Sequence, residues 1–131
     1  SEECSVSKEF KKTYLKAQKE DIINVQSPVG MTGRAVKTDF IRRMEEGEDV
    51  SPEKCKFKCL KKCSYKYCIN DRLVASCQGD VDNGLVFCGA NTYKMQEILP
   101  VKEIFRRFVR DAESVYKENK TQRKEGSTET A

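Results

Sequence analysis

The sequence predicts a small, mainly α-helical fold with minor β structure. A long stripe supports this: from Pro100, the residues Val101, Ile104, Phe105, Phe108, Val109, Ala112, Val115 and Tyr116 keep the i, i+3, i+4 spacing of an amphipathic helix. Shorter stretches carry helix start and stop signals around apolar residues one turn apart. Only two brief runs, DIINVQ at 21–26 and LVFC at 85–88, read as extended chain.

In chain order, residues 5–19 read as a short helix. Ser5 or Ser7 can cap it, and Phe10, Tyr14 and Ala17 share one face. DIINVQ follows as a strand. SPVGMTGRA, residues 27–35, then reads as a turn leading from that strand into a helix, punctuated by Pro28, Gly30 and Gly33. Residues 38–46 form a short helix carrying Phe40, Ile41 and Met44, with Gly47 in the stop position. SPEKCKFKCLKKC, from Ser51, has an N-cap serine, a proline suited to the first helical position and an acidic residue in the first turn. A helix there would place Cys55, Cys59 and Cys63 along one face. INDRLVASCQGD reads as another helix with Ile69, Leu73 and Cys77 on one face and Gly79 as the stop. The stripe after Pro100 is read as core packing, with Arg106, Arg107 and Arg110 on the other face. Residues 1–118 are expected as a single segment, cysteine-rich over 51–88. Residues 119–131, which lack apolar periodicity, are expected as a disordered tail.

Composition narrows the chemistry. The 131 residues allow one ordinary domain, with 37% hydrophobic and 35% charged residues. The net charge of +4 is spread along the chain, which argues against a nucleic-acid surface. No apolar run approaches the ~20 residues of a membrane span. There is no histidine, so histidine-based catalytic triads and histidine-ligated zinc are excluded within the chain. Seven cysteines are an odd number, which favours a reducing cytoplasm over a disulfide framework. The first residue is Ser1, so the chain is expected to be processed or cut from something longer.

Cys55, Cys59, Cys63 and Cys68 follow the pattern C-x3-C-x3-C-x4-C among six lysines. Two readings stay open. One is zinc or an iron–sulfur cluster held by the four thiolates. The other is reduced thiols along a helix, with Cys59 the most buried beside Phe57 and Leu60. A continuous helix would separate Cys55 from Cys63 by about 12 Å along its axis, too far for one ion. Gly30, Gly33 and Arg34 could cradle a phosphate, but the P-loop spacing is absent. GDVDNG, residues 79–84, lacks the closing glutamate of a calcium loop.

Taken together, SEEC, SPVGMTGRAV, CLKKC followed by YCI, and GLVFCGANTYKMQEILPVKEIFRRFV resemble the C-terminal part of the nitronate monooxygenase family, formerly the 2-nitropropane dioxygenases. That family is related to the FMN-type enoyl-acyl-carrier-protein reductases. The resemblance covers roughly residues 1–110. It implies the C-terminal portion of a flavin-binding (β/α)8 TIM barrel, with an inserted cysteine-rich helical region and the barrel lying upstream. It implies FMN, held mostly upstream, and a small-molecule substrate, and it allows a homo-oligomer. By this analogy Gly30, Met31, Gly33, Arg34, Gly89, Ala90 and Asn91 approach the flavin face. No family catalytic residue carries over, because the phosphate loops and the catalytic histidine belong upstream. The chain alone is expected to be inactive.

Overall fold

A computed structural model describes residues 1–61 and 63–125. They fall into two compact units, Ser5–Glu97 and Ser1–Cys4 with Ile98–Ala131.

In the first unit, Ser7 caps helix α1 (Lys8–Lys16), its hydroxyl accepting the Phe10 amide at 3.1 Å. Strands β1 (Ile22–Gln26) and β2 (Thr32–Val36) form an antiparallel hairpin in which Ile22 faces Val36 and Val25 faces Gly33. The turn closes where the Ser27 amide donates to the Met31 carbonyl at 2.9 Å, and Gly30 takes φ +91° there. This corrects the expectation that SPVGMTGRA leads from strand to helix: its second half is a strand. Arg34, Ala35 and Val36 gain ladder partners on both sides, because β3 (Val86–Phe87) pairs with β2, Ala35 facing Phe87. The sheet order is β1-β2-β3.

Neighbouring strand residues point to opposite faces, and both faces are covered. Val36 and Val86 pack on Ala17, with Phe10 and Tyr14 of α1 against them. Ala35 and Leu85 point the other way, into a cluster with Val25, Phe40, Ile41 and Tyr67. Phe40 and Ile41 belong to helix α2 (Asp39–Glu45), which Gly47 ends at φ +89°. Helix α3 (Ile69–Gln78) ends at Gly79, φ +113°, and sets Ile69 and Leu73 against the same cluster. Cys77 is exposed and Ser76 is buried in its place. The Ser76 hydroxyl lies 2.9 Å from the carbonyls of Leu73 and Leu85, and Gly84 packs against it so closely that an added Cβ would stand 2.5 Å from Ser76 Cβ.

The helix expected from Ser51 to Cys63 does not form among the described residues. Lys54 and Lys58 would repel each other one turn apart, and cysteine is a poor helix former. Lys58 and Tyr65 instead adopt φ +45° and +57°. Cys59 was expected to be the most buried of these thiols, but it is exposed while Cys55 and Cys63 are half-buried.

In the second unit, helix α4 (Val101–Glu125) starts after Pro100, where the Val101 amide donates to both Glu3 carboxylate oxygens at 2.9 and 3.0 Å. The Glu2 amide donates to the Leu99 carbonyl at 2.9 Å. The predicted stripe is present, but it is not core: Phe105 is 65% and Phe108 70% exposed. Ser1–Cys4 and residues 98–100 have too few apolar side chains to cover it. The helix also continues through 119–125, placed above in the tail, in a run of good helix formers. Residues 126–131 lie outside the described residues. No described helix is long and apolar enough to cross a membrane.

Candidate functional site

The seven residues assigned to the flavin face divide into neighbours and outliers. β2 and β3 bring Gly33 and Arg34 beside the segment that leads to Gly89, Ala90 and Asn91. The Cys88 amide donates to the Arg34 carbonyl at 2.9 Å, extending the ladder by one residue. Gly33 is needed here. A Cβ on it would meet the Phe87 ring at 2.4 Å, so the ring lies directly over the Gly33 backbone. Gly30 and Met31 sit in the hairpin turn that precedes β2. Met31 is 69% exposed.

After β3 the chain is held by Thr92. Its hydroxyl accepts the Gly89 amide at 3.1 Å, and its own amide donates to the Gly89 carbonyl at 3.2 Å. A 3₁₀ turn follows over Thr92–Lys94. Tyr14 of α1 donates its hydroxyl to the Phe87 carbonyl at 2.6 Å. Thr92 and Phe87 were not singled out from sequence, and Tyr14 was read only as part of a helix face. The Gly89-x-x-Thr92 spacing, suited to a serine/threonine turn, was the one available signal. Burial pushes the Cys88 thiol above its ordinary value, opposed by a hydrogen bond with Thr92 and the nearby Arg34 charge.

A phosphate cradle needs free backbone donors. Here the Gly30 amide donates to Ser27 at 3.1 Å, and the Gly89 amide is taken by Thr92. Gly30, Arg34, Gly89, Ala90 and Asn91 are exposed. The Gly30 and Gly89 amides are therefore not free to cradle a phosphate.

The cysteine-rich segment forms a second feature. Cys55, Cys59, Cys63 and Cys68 all line one small, largely apolar cavity of about 20 Å³, walled by Phe57 and Tyr67. Among the described residues, no three histidine, cysteine, aspartate or glutamate side chains stand close enough together to hold a metal ion.

The sequence profile of nitronate monooxygenase matches residues 1–111. A search of curated proteins finds no match. Among solved structures the chain is similar to FabK from Thermotoga maritima, with a TM-score of 0.67 at 20% identity over 88% of this chain. At that identity the likeness speaks for the fold alone. The chain spans 34% of the FabK chain, and its three-stranded antiparallel sheet is not a barrel. With its family profile matched from residue 1 to 111, the chain belongs to the nitronate monooxygenase family, whose members are FMN-dependent oxidoreductases of the TIM-barrel type.

Proposed function

We propose that this chain is the C-terminal part of an FMN-dependent oxidoreductase and forms a wall or lid of its flavin and substrate site. The observation that carries the reading is the β2–β3 pairing. It sets Arg34 against Cys88, where the turn Gly89–Asn91 begins, so two sequence-distant pieces of the family resemblance lie side by side. Gly33 lets the Phe87 ring lie flat on the strand, and Thr92 fixes the following turn. An edge shaped in this way excludes water from one side of a bound ring, while Arg34 supplies a cation there. Gly30 and Met31 extend the wall from the hairpin turn.

Bound to the whole enzyme, FMN would supply the redox chemistry, the oxidation of a nitronate or the reduction of an enoyl-type substrate. This chain contributes no acid or base at the reacting atoms. Free thiols suit a cytoplasmic protein, and a homo-oligomer joined through this region is compatible with the reading.

The test has two arms. FMN is titrated into the chain alone and followed by flavin fluorescence, with weak or no binding and no turnover expected. The chain joined to an upstream barrel is then compared with its Gly89→Trp variant. An added Cβ at Gly89 would meet only Thr92 Oγ1, at 3.9 Å, so the variant should fold. It should nonetheless lose flavin or substrate affinity by at least about tenfold, the loss expected when a wall is overfilled by more than 1.4 kcal/mol. Micromolar FMN binding with turnover by the chain alone, or unchanged affinity in the joined variant, would sink the reading.

A further inference from the structure

We propose that Cys55, Cys59, Cys63 and Cys68 form a four-thiolate site for zinc or an iron–sulfur cluster. The proposal is independent of the flavin reading. It rests on the failure of the expected helix. On a helix, Cys55 and Cys63 would be held about 12 Å apart, and no single centre could take both. Among the described residues there is no helix there, and the four cysteines line one cavity instead.

Three further features suit a thiolate centre. The Lys58 amide donates to Cys55 Sγ at 3.2 Å, an N–H to sulfur bond of the kind that stabilises a metal thiolate and tunes a cluster. Lys58 makes that bond from a left-handed conformation, φ +45°, and Tyr65 between Cys63 and Cys68 takes φ +57°. Such conformations are uncommon in non-glycine residues and collect at ligand clamps. The segment from Glu46 to Cys68 has no described helix or strand, although loops beyond about 12–15 residues are uncommon unless functional or disordered. Its far end is nevertheless fixed: Tyr67 is 1% exposed, and its hydroxyl donates to the Gln26 carbonyl at 3.3 Å.

The ligand class follows from the donors. Four sulfurs without histidine select zinc or iron–sulfur over magnesium or calcium. Binding releases four thiol protons. A zinc ion or an oxidised four-iron cluster then leaves a centre of charge −2, which the six lysines among residues 54–68 offset. The four cysteines line the cavity, but no three of them stand close enough to bind one ion, so binding must draw the loop inward. Cys55 and Cys59 lie in the part without helix or strand, while the Ser64 amide, bonded to the Pro28 carbonyl at 3.3 Å, and Tyr67 hold the Cys63–Cys68 end as the fixed side of the site.

The full chain is purified without oxygen or chelator, and its zinc, iron and acid-labile sulfide are measured. Cobalt(II) is then added as a probe, or iron with sulfide under reducing conditions. Stoichiometric cobalt with thiolate charge-transfer absorption assigns a single-ion site, and a brown chain with matching iron and sulfide assigns a cluster. Cys59→Ser and Cys63→Ser should each lose stoichiometric binding, while Cys4→Ser and Cys77→Ser keep it. In the unmutated chain, the bound centre should protect Cys55, Cys59, Cys63 and Cys68 from alkylation and leave Cys4 and Cys77 open, so the test survives a variant that fails to fold. No binding in either arm, equal loss in the control variants, or metal-dependent protection of Cys4 or Cys77 would overturn the site.

Discussion

Phe40 and Phe108 are the same side chain, each on a helix whose apolar residues repeat at helical spacing, yet one is 0% and the other 70% exposed. The difference lies in what surrounds the helix. Phe40 has the Tyr67 ring edge-on at 5.3 Å and the Arg72 guanidinium 4.4 Å from its ring centre, above a sheet that supplies Val25 and Ala35. α4 has only Ser1–Cys4 and residues 98–100 in its own unit. Periodicity reports that a helix has an apolar face. It does not report whether a partner for that face lies within the same chain.

The sharpest test of this contrast is Phe40→Ala. Truncating a buried phenylalanine costs about 3–5 kcal/mol, which is comparable with the whole stability of a small domain. Urea unfolding of the chain should show a marked fall in the midpoint or no cooperative transition at all. A change below about 1 kcal/mol would mean that the cluster around Phe40 is not the core.

The next effect is smaller and concerns a backbone contact. Gly84→Ala places a Cβ 2.5 Å from Ser76 Cβ and 2.8 Å from its backbone, so α3 must move away from β3. Overpacking of this kind costs about 1–3 kcal/mol. Gly89→Ala meets only Thr92 Oγ1 at 3.9 Å and should change the midpoint little. Equal losses from the two would remove the argument that Gly84 is required for close packing.

Much of the first unit was legible in the sequence because its signals were local. Ser7 capped its helix, Gly47 and Gly79 ended theirs, and DIINVQ paired as a strand. β2 was missed because Thr32–Val36 is short, contains a glycine and follows a turn signal. Only its pairing on both sides makes it a strand. The cysteine segment misled for the opposite reason: Ser51, Pro52 and Glu53 are sound start signals, but the following lysines repel and no apolar face rewards the helix. Of the candidate site, the motif residues could be read, but the ladder joining Arg34 to Cys88 could not. It is a contact between residues far apart in the chain.

A third comparison uses pH to separate the units. Hydrogen bonds from the Glu3 and Val101 backbone amides hold the Glu3 carboxyl below its ordinary value. A depressed carboxyl stabilises the fold fully above its unfolded value and loses that contribution as the pH falls through its folded value. α4 should therefore fray at its start on acidification, visible as a loss of far-UV ellipticity that Glu3→Gln lessens. The Arg107 hydrogen bond also holds Glu103 down, so Glu103 acts in the same direction and remains in both proteins. An identical acid profile for the variant would break the link between Glu3 and the helix start.

The smallest expected effect is the most informative about α4. In the chain alone, Phe108→Ser removes a side chain that is already 70% exposed, so stability should stay within about 0.5 kcal/mol. Helix propensity differs little between the two residues, so ellipticity should also hold. The exposed face nevertheless joins Phe105, Phe108, Val109 and Tyr116 in one stripe, which is costly to leave in water. In a longer protein that covers the stripe, the same substitution would bury a hydroxyl and leave a cavity, and the cost should rise to about 3–5 kcal/mol. Measuring Phe108→Ser in both settings tests the origin of the contrast with Phe40. A large cost in the chain alone would show that the stripe is already packed in solution. A negligible cost in both would show that α4 keeps its apolar face free.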